Sequence, residues 1–389
     1  AAAEGGSTTG PLLGALLGLA VAVGLGYALY AGAVRINLGR FFAVTGGFRY
    51  TMDKQHDKAQ LLNVVLPTAL NGQALYTCQN RLLYNGGNPT IPLFVPNSYN
   101  CEQEIKIKSN RPTWLIGVDF KPTEDMLVYA KWARGYRMGA ITNNSIGFET
   151  VGPEKVDTYE IGSKMSFRGS MPGYFNVAAF YNNFQDQQLT VNSVIKPEWQ
   201  GIIPPAAPNV NAGKSRMWGV EVDAAIRPFR GFSIDVGYTY LNTKLQEFTE
   251  PPLPIYYSSL HSATEIGGQL ALAPKNRVTV SGTYTLPLDE SIGRISFGAT
   301  FTHTDAHPAT SPEGSPLFMI KKSDLLNLNA DWKGVMGMPV DLAFFMTNVT
   351  NEARIVFPTQ SFDTFGGDDG HVNEPRMWGV KLKYRFGNE

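Results

Sequence analysis

The sequence predicts an all-β protein, an antiparallel β-barrel that crosses a membrane, and three observations predict it. From residue 27 onward, segments of 10 to 18 residues alternate apolar and polar side chains with a period of two, the mark of strands with one greasy and one wet face. The connections between these segments alternate between short and long along the chain. Among 389 residues only 17% are charged and 12% are aromatic, with 40 Gly and 25 Pro, which speaks against a mainly helical protein. Mean hydropathy is slightly negative, which excludes a bundle of membrane helices. A barrel fits, because only alternate residues of each strand face lipid. Net charge is zero, so bulk electrostatics give no case for nucleic-acid binding.

The first element is ambiguous. Residues 11–34 carry no charge and are long enough to span a bilayer as a helix. The opening AAAEGGSTTG lacks the basic residues that precede the apolar run of a signal peptide. Strand is expected from residue 27, and residues 11–25 stay open between a further strand, a helix and sequence from a truncated or wrongly joined upstream region. The chain therefore divides into an ambiguous apolar segment, 1–26, and a barrel segment, 27–389.

Thirteen strands are expected, at 27–37, 41–53, 108–120, 126–138, 155–167, 173–190, 214–227, 232–247, 273–286, 292–306, 322–333, 339–350 and 375–386. Alternation is clear in the seventh, where Trp218, Val220, Val222, Ala224 and Ile226 oppose Gly219, Glu221, Asp223 and Arg227. In the last, Trp378, Val380, Leu382, Tyr384 and Phe386 oppose Gly379, Lys381, Lys383 and Arg385. Short connections fall at 38–40, 121–125, 168–172, 228–231, 287–291 and 334–338, and long ones at about 54–107, 139–154, 191–213, 248–270, 307–321 and 351–374. A soluble sandwich has no reason to gather its long loops at one end, whereas outer-membrane barrels pair short periplasmic turns with long extracellular loops. Parity adds a constraint. A closed barrel of this kind has an even number of strands, so strands precede residue 27 or residues 11–25 supply a fourteenth.

Cys78 and Cys101, the two cysteines, lie in one Asn/Pro/Gly-rich stretch, which suggests a disulfide in an oxidising compartment, with two free thiols as the alternative. No CxxC or His-rich spacing accompanies them, so no zinc site is expected. Catalytic motifs are missing: there is no Gly-x-Ser-x-Gly, His-Glu-x-x-His or P-loop pattern, and no enzyme or cofactor is expected. The histidines His56, His261, His303, His307 and His371 fall in or beside expected loops. His303 and His307 with Asp305, or Asp363, Asp368 and Asp369 before His371, have the chemistry of metal ligands, but exposed loop residues are the more ordinary reading and no metal site is assigned.

Glu160 and Lys164 fall on the polar face of their strand, opposite Tyr159, Ile161 and Met165, as do Glu221, Asp223, Lys381, Lys383 and Arg385 on theirs. These are the expected lumen-facing charges. Ligand selection is expected of loop-tip residues, namely Tyr99, Tyr136, Arg137, Trp199, Tyr256, Tyr257 and Phe362, because loops on a rigid barrel carry the variable chemistry. The alternative is that the loop aromatics pack against one another.

Seven motifs occur in order: FFAVTGGFRYTMDK (41–54), LVYAKWARGYRMG (127–139), VDTYEIGSK (156–164) followed by NVAAFYNNFQDQQ (176–188), Asn211-Ala-Gly with Trp218-Gly-Val-Glu221, APKNR (273–277), TNVTNEA (347–353) and PRMWGVKLKYRF (375–386). Over roughly residues 27–389 this series resembles the TonB-dependent receptors of Gram-negative bacteria. The resemblance implies a 22-stranded barrel plugged by an N-terminal domain, of which this chain is similar to the C-terminal portion. It also implies an outer-membrane location among lipid, and import of a scarce nutrient, a ferric siderophore or related iron complex above all, driven by the TonB energy-transducing complex. No plug-like domain precedes residue 27 and no TonB box is visible, so the match is to the later part of the barrel. A passive channel of about 14 strands and a non-functional barrel fragment are the competing readings.

Overall fold

Backbone pairing follows chain order. The computed structural model describes residues 20–24, 27–60, 62–65, 75–78, 102–142, 145–200, 207–262, 264–310, 317–358 and 369–387. β1 (Ala20–Gly24), β2 (Tyr27–Leu38) and β3 (Phe42–Gln60) open the sheet. A small hairpin of β4 (Leu62–Val65) and β5 (Leu75–Cys78) separates them from β6 (Glu102–Thr123) and β7 (Met126–Arg137). A second hairpin, β8 (Ala140–Ile141) with β9 (Thr150–Val151), leads to β10 (Glu154–Phe167) and β11 (Gly173–Ile195). β12 (Asn209–Phe229) and β13 (Phe232–Phe248) follow, then β14 (Tyr257–Ser262), which pairs with the far end of β11. β15 (Asn276–Thr285) and β16 (Arg294–Thr304) resume the wall, and the short pair β17 (His307–Pro308) with β18 (Met319–Ile320) follows. β19 (Ser323–Lys333), β20 (Val340–Thr347), the pair β21 (Ile355–Pro358) with β22 (Gly370–Val372), and β23 (Met377–Tyr384) end the series.

The long strands make one antiparallel path, β1-β2-β3-β6-β7-β10-β11-β12-β13-β15-β16-β19-β20-β23. All thirteen segments expected from alternation are strands, and β1 supplies a fourteenth inside the ambiguous stretch. Among the described residues β1 and β23 are the ends of the path, so the wall is an arc and is not closed.

The structure departs from the sequence reading at the long-loop end. β3 and β6 stay paired from Asp53↔Ser109 out to Gln60↔Glu102, well inside the stretch expected to be loop. Alternation marks a strand only where lipid lies on one side and water on the other. Beyond the membrane both faces meet water, so the pattern vanishes while the backbone ladder continues. The side chains there pair with one another instead, with Glu104 meeting His56 at 2.7 Å and forming an ion pair with Lys106.

Directly paired residues project to the same side of a sheet, so register reads rows of side chains across the wall. One row is Ala130, Ile161, Ala179, Val220 and Tyr240. Next to it, on the same face, run Trp132, Tyr159, Tyr181 and Trp218. Ile161 is 59% exposed and Tyr159 50%, an arrangement that is stable only if the medium on that side is itself apolar. The opposite face carries Lys164, Asn176, Asp223, Gly237, Thr279 and Thr302 in one row. The wall is one layer thick, and most of the buried apolar residues among those described lie at the long-loop end.

The turn between β12 and β13 depends on glycine. Phe229 and Phe232 are directly paired and their rings stack at 5.1 Å, so Arg230 and Gly231 alone reverse the chain. Gly231 has φ +87°, and a Cβ there would sit 2.3 Å from the Thr285 carbonyl oxygen. A side chain at such a φ costs about 1–3 kcal/mol before the collision is counted. Gly231→Val is therefore expected to lower the folded fraction, read as loss of the SDS-resistant, heat-modifiable band. Gly237→Ala, where a Cβ meets nothing within 4 Å, is expected to leave that band unchanged.

Candidate functional site

Three zones bear on function: the cap built by the long loops, the polar face of the wall, and the mouth at the short-turn end. The cap has a core of its own. Ile146, Phe148, Val191, Trp199, Val210, Ala212, Tyr256, Tyr257 and Leu260 form one buried cluster drawn from three loops and the far ends of β11, β12 and β14. Each loop is shaped locally to reach it. Phe148 N donates to the Ser145 carbonyl at 2.8 Å, turning the first loop inward, and Pro197–Trp199 make a single 3-10 turn that delivers the indole. Trp199 meets Tyr256 edge-on at 4.9 Å, and Phe148 lies 5.4 Å from Tyr257. The Tyr257 hydroxyl donates to the Ile146 carbonyl at 2.9 Å. Burial pushes the Tyr257 phenol up to about 12 and Tyr256 upward as well.

Two amides clamp the first loop to the wall. Asn211 Oδ1 accepts from Gly152 N at 2.5 Å, while its Nδ2 donates to the Gly152 and Asp186 carbonyls at 2.9 and 2.8 Å. Gln188 Nε2 donates to the carbonyls of Met138 and Gly152 at 2.9 and 2.8 Å. Sequence reasoning quoted both residues inside motifs without assigning them this role. The two residues are directly paired just beyond a register irregularity at Gln187, and pairing between strands leaves no local mark in the sequence. A second buried cluster, Leu245, Leu270 and Ala273, seats residues 268–274 beside Met217 and Leu241 and borders a hollow of about 600 Å³.

The loop residues singled out from sequence divide into groups. Trp199, Tyr256 and Tyr257 come together in the cap core, at 3%, 4% and 1% exposure, and face one another. The Tyr136 hydroxyl donates to Asp53, and Arg137, exposed, pairs with Glu154 at 3.0 Å. Tyr99, Phe362 and the Cys78–Cys101 pairing lie outside the described side chains.

On the polar face, Glu160 accepts from the Tyr129 hydroxyl at 2.8 Å and pairs with Lys131 at 2.7 Å. Lys164, four residues along the same strand, is not its partner, because the cross-strand neighbour is closer than the next residue but one of that face. Lys164, Glu221 and Asp223 line a hollow of about 510 Å³ with Arg277 and Asn176, and Asp223 accepts from the Tyr174 hydroxyl at 3.2 Å. Lys381 stands opposite Ala343, Lys383 opposite Asp341, and Arg385 pairs with Asp341 at 3.1 Å. Lys383 and Arg385 border a cavity of about 1470 Å³ at the short-turn mouth, together with Arg227, Arg294 and Lys333.

His303 is held between Asp324 (2.5 Å, Nδ1) and Asp305 (3.1 Å, Nε2), and His307 Nδ1 meets the Asp305 carbonyl at 2.9 Å. Asn276 donates to the Asp305 carboxylate at 2.7 Å and is the main cause of its lowered pKa. These histidines tie loop to wall. No group of three or more His, Cys, Asp or Glu among the described residues is arranged to hold a metal. Asp363 and Asp368 lie outside the described residues, and His371 sits in β22 near the Phe357 ring.

The family model described as TonB dependent receptor-like, beta-barrel, matches residues 24–351. The probable TonB-dependent siderophore receptor PiuA of Acinetobacter baumannii is 27% identical over an alignment of 220 positions that covers 54% of this chain and 27% of that protein. Among solved structures, the ferric yersiniabactin uptake receptor FyuA from Yersinia pestis superposes with a TM-score of 0.65 at 14% identity, over 93% of this chain and 46% of that one. The siderophore receptor PiuA from Acinetobacter baumannii superposes at 0.59 with 17% identity, over 92% and 43%. At these identities the structural likeness is one of fold, and this chain spans less than half the length of the relatives it matches. With a receptor-barrel model matched over most of its length and strands in the order such a wall requires, the chain belongs to the TonB-dependent receptor-like β-barrel family.

Proposed function

We propose that the chain forms part of an outer-membrane receptor that captures a ferric siderophore or related iron complex at its long-loop end. The cargo then passes along the polar face of the wall, with energy delivered by the TonB complex. The observation that carries this reading is the cap: loops that are packed around a buried aromatic core and clamped by Asn211 and Gln188 form a preshaped mouth above a polar-faced wall. Preshaping matters because ordering loops on binding subtracts from affinity. The names of the relatives, siderophore receptors among them, support the substrate class.

Within this reading the buried rings of Trp199, Tyr256 and Tyr257 set the shape of the mouth rather than stack on the cargo. Contact falls to groups left open at its rim. The Arg137 side chain is 58% exposed and has one carboxylate partner, which leaves guanidinium N–H groups for the oxygen donors of an iron chelate. Tyr99 and Phe362 are proposed as further rim contacts, and Glu160, Lys164, Glu221, Asp223, Lys381, Lys383 and Arg385 as the lumen-side charges.

Uptake of radioactive iron by an iron-starved strain lacking its other receptors, supplied with catecholate or hydroxamate chelates, tests the proposal. Chelate-dependent and TonB-dependent accumulation is expected, with Arg137→Ala raising the half-saturating concentration about tenfold for loss of one charge-assisted contact. Equal accumulation without TonB would favour a passive channel and defeat the reading.

The cap makes a separate prediction. Its fold holds the Tyr257 phenol neutral, so this contribution to stability is complete below pH 10 and is lost as pH rises through the window from 10 to about 12. Emission from Trp199, measured as the difference from Trp199→Phe, is expected to shift red across that window. In the double variant Tyr256→Phe/Tyr257→Phe the shift should be absent.

A further inference from the structure

We infer that residues 267–274 and the polar face of β12, β13 and β15 build a subsite for an anionic ligand with an aliphatic arm, which in an iron receptor is an acylated chelate. The iron rests on the function proposed above, and the arm and the charge rest on the side chains themselves. Toward the long-loop end the polar face changes character. Glu221, Thr239 and Arg277 stand in one directly paired row. Two residues further out on the same face come Gly219 and Leu241, and beyond them Met217 and Thr243. Alternation puts water on this side of the wall, yet Leu241 and Met217 are apolar.

Residues 267–274 lie over this patch and are tied to it. Gly267 N donates to the Leu245 carbonyl at 2.7 Å, and Leu270 N donates to the Thr243 hydroxyl at 3.0 Å. Leu270 and Ala273 bury themselves against Leu245, Met217 and Leu241. Beside them remains the hollow of about 600 Å³, to which Leu189, Met217, Leu241, Leu270 and Leu272 give aliphatic walls. Leu272 stays out of the buried cluster and is 44% exposed. Its φ is +56°, a left-handed backbone that costs a leucine free energy, held by its N–H donating to the Pro308 carbonyl at 2.8 Å. Burial explains neither the exposure nor the strain, whereas presenting an apolar side chain to a ligand accounts for both. No aromatic ring lines the hollow among the described residues, so a flat aryl group finds no stacking partner there and a flexible alkyl arm fits.

Arg277 supplies the charge. It lines the same hollow on the side toward the short turns, is exposed, and has no ion pair among the described residues. It also borders the polar hollow that holds Lys164, Glu221 and Asp223, and Thr239 stands between it and Glu221 in their row. A guanidinium with N–H groups to offer, set at the end of an aliphatic wall, specifies a carboxylate or similar anion joined to hydrocarbon.

The test is calorimetric titration of the protein, extracted from outer membranes in mild detergent, with a ferric trihydroxamate that bears a free carboxylate and an octanoyl arm. It is expected to bind about tenfold more tightly than its acetyl analogue and about tenfold more tightly than its methyl ester. Leu272→Gly relieves the backbone strain while removing the side chain, so it should keep the heat-modifiable folded band and erase the preference for octanoyl over acetyl. Met217→Gln repeats that measurement from the wall side should the band be lost. Arg277→Gln should erase the preference for the free acid and leave the preference for the arm. Octanoate without iron should bind with the same dependence on Leu272 and Arg277, so octanoate binding in the absence of any chelate binding would defeat the iron cargo and leave the subsite standing. Equal affinity for the octanoyl and acetyl chelates, preferences that survive in the variants, or failure of octanoate to bind would overturn the inference.

Discussion

A backbone N–H or C=O inside hydrocarbon has no water to turn to, and each one left unpaired costs several kcal/mol. That constraint organises the protein. It requires each wall strand to be matched along its length by the next, and the pairing runs without a crossover from β1 to β23. Once pairing is continuous, register is fixed, because a slip of one residue would turn Ile161 and Tyr159 inward and Glu160 outward to lipid. Continuous pairing therefore also decides which side chains meet lipid, which meet water, and which stand in a row across several strands.

The wall and the cap are held by different physics. In the wall, apolar side chains are left exposed to lipid, so burial from water comes from the membrane, and the protein supplies only its ladder. In the cap, water returns on both sides, and the loops gain stability only by packing on each other. Ile146, Trp199 and Tyr257 do what core residues do in a small soluble domain, and the buried hydroxyl of Tyr257 finds its acceptor in the Ile146 carbonyl. Rigidity at the mouth follows from that packing, and the clamps on Gly152 carry it down into β11 and β12.

How much of this was legible in the sequence follows the same division. Alternation located the wall strands because lipid and water impose a period of two, and the short connections between the alternating segments marked their ends. The cap has no period. Trp199, Tyr256 and Tyr257 were visible as loop aromatics, but whether the rings point outward or toward one another depends on the crossing of loops some sixty residues apart, which no local pattern encodes. The extension of β3 and β6 past the membrane was hidden for the complementary reason that strands wetted on both faces lose their signature. Glu160 shows a subtler gap. Its face was readable, but its partner Lys131 is set by register between strands and not by spacing along one.

The ends of the path test the organising constraint most directly. Trp218, in the middle of the wall, is 38% exposed, whereas Trp378 on β23 is 70% exposed, although both belong to the apolar face of a long strand. The two rings differ in their surroundings: among the described residues Trp218 has strands on both sides, and Trp378 has β20 on one side. The same missing neighbour leaves one row of β23 backbone groups unmatched among the described residues, and β1 presents the matching problem at the opposite edge. Water would tolerate such edges, but hydrocarbon does not, so in a membrane each of them has to meet another strand. Val380 at 65% and Leu382 at 67% exposure share the apolar face of β23 with Trp378, the face that lipid covers.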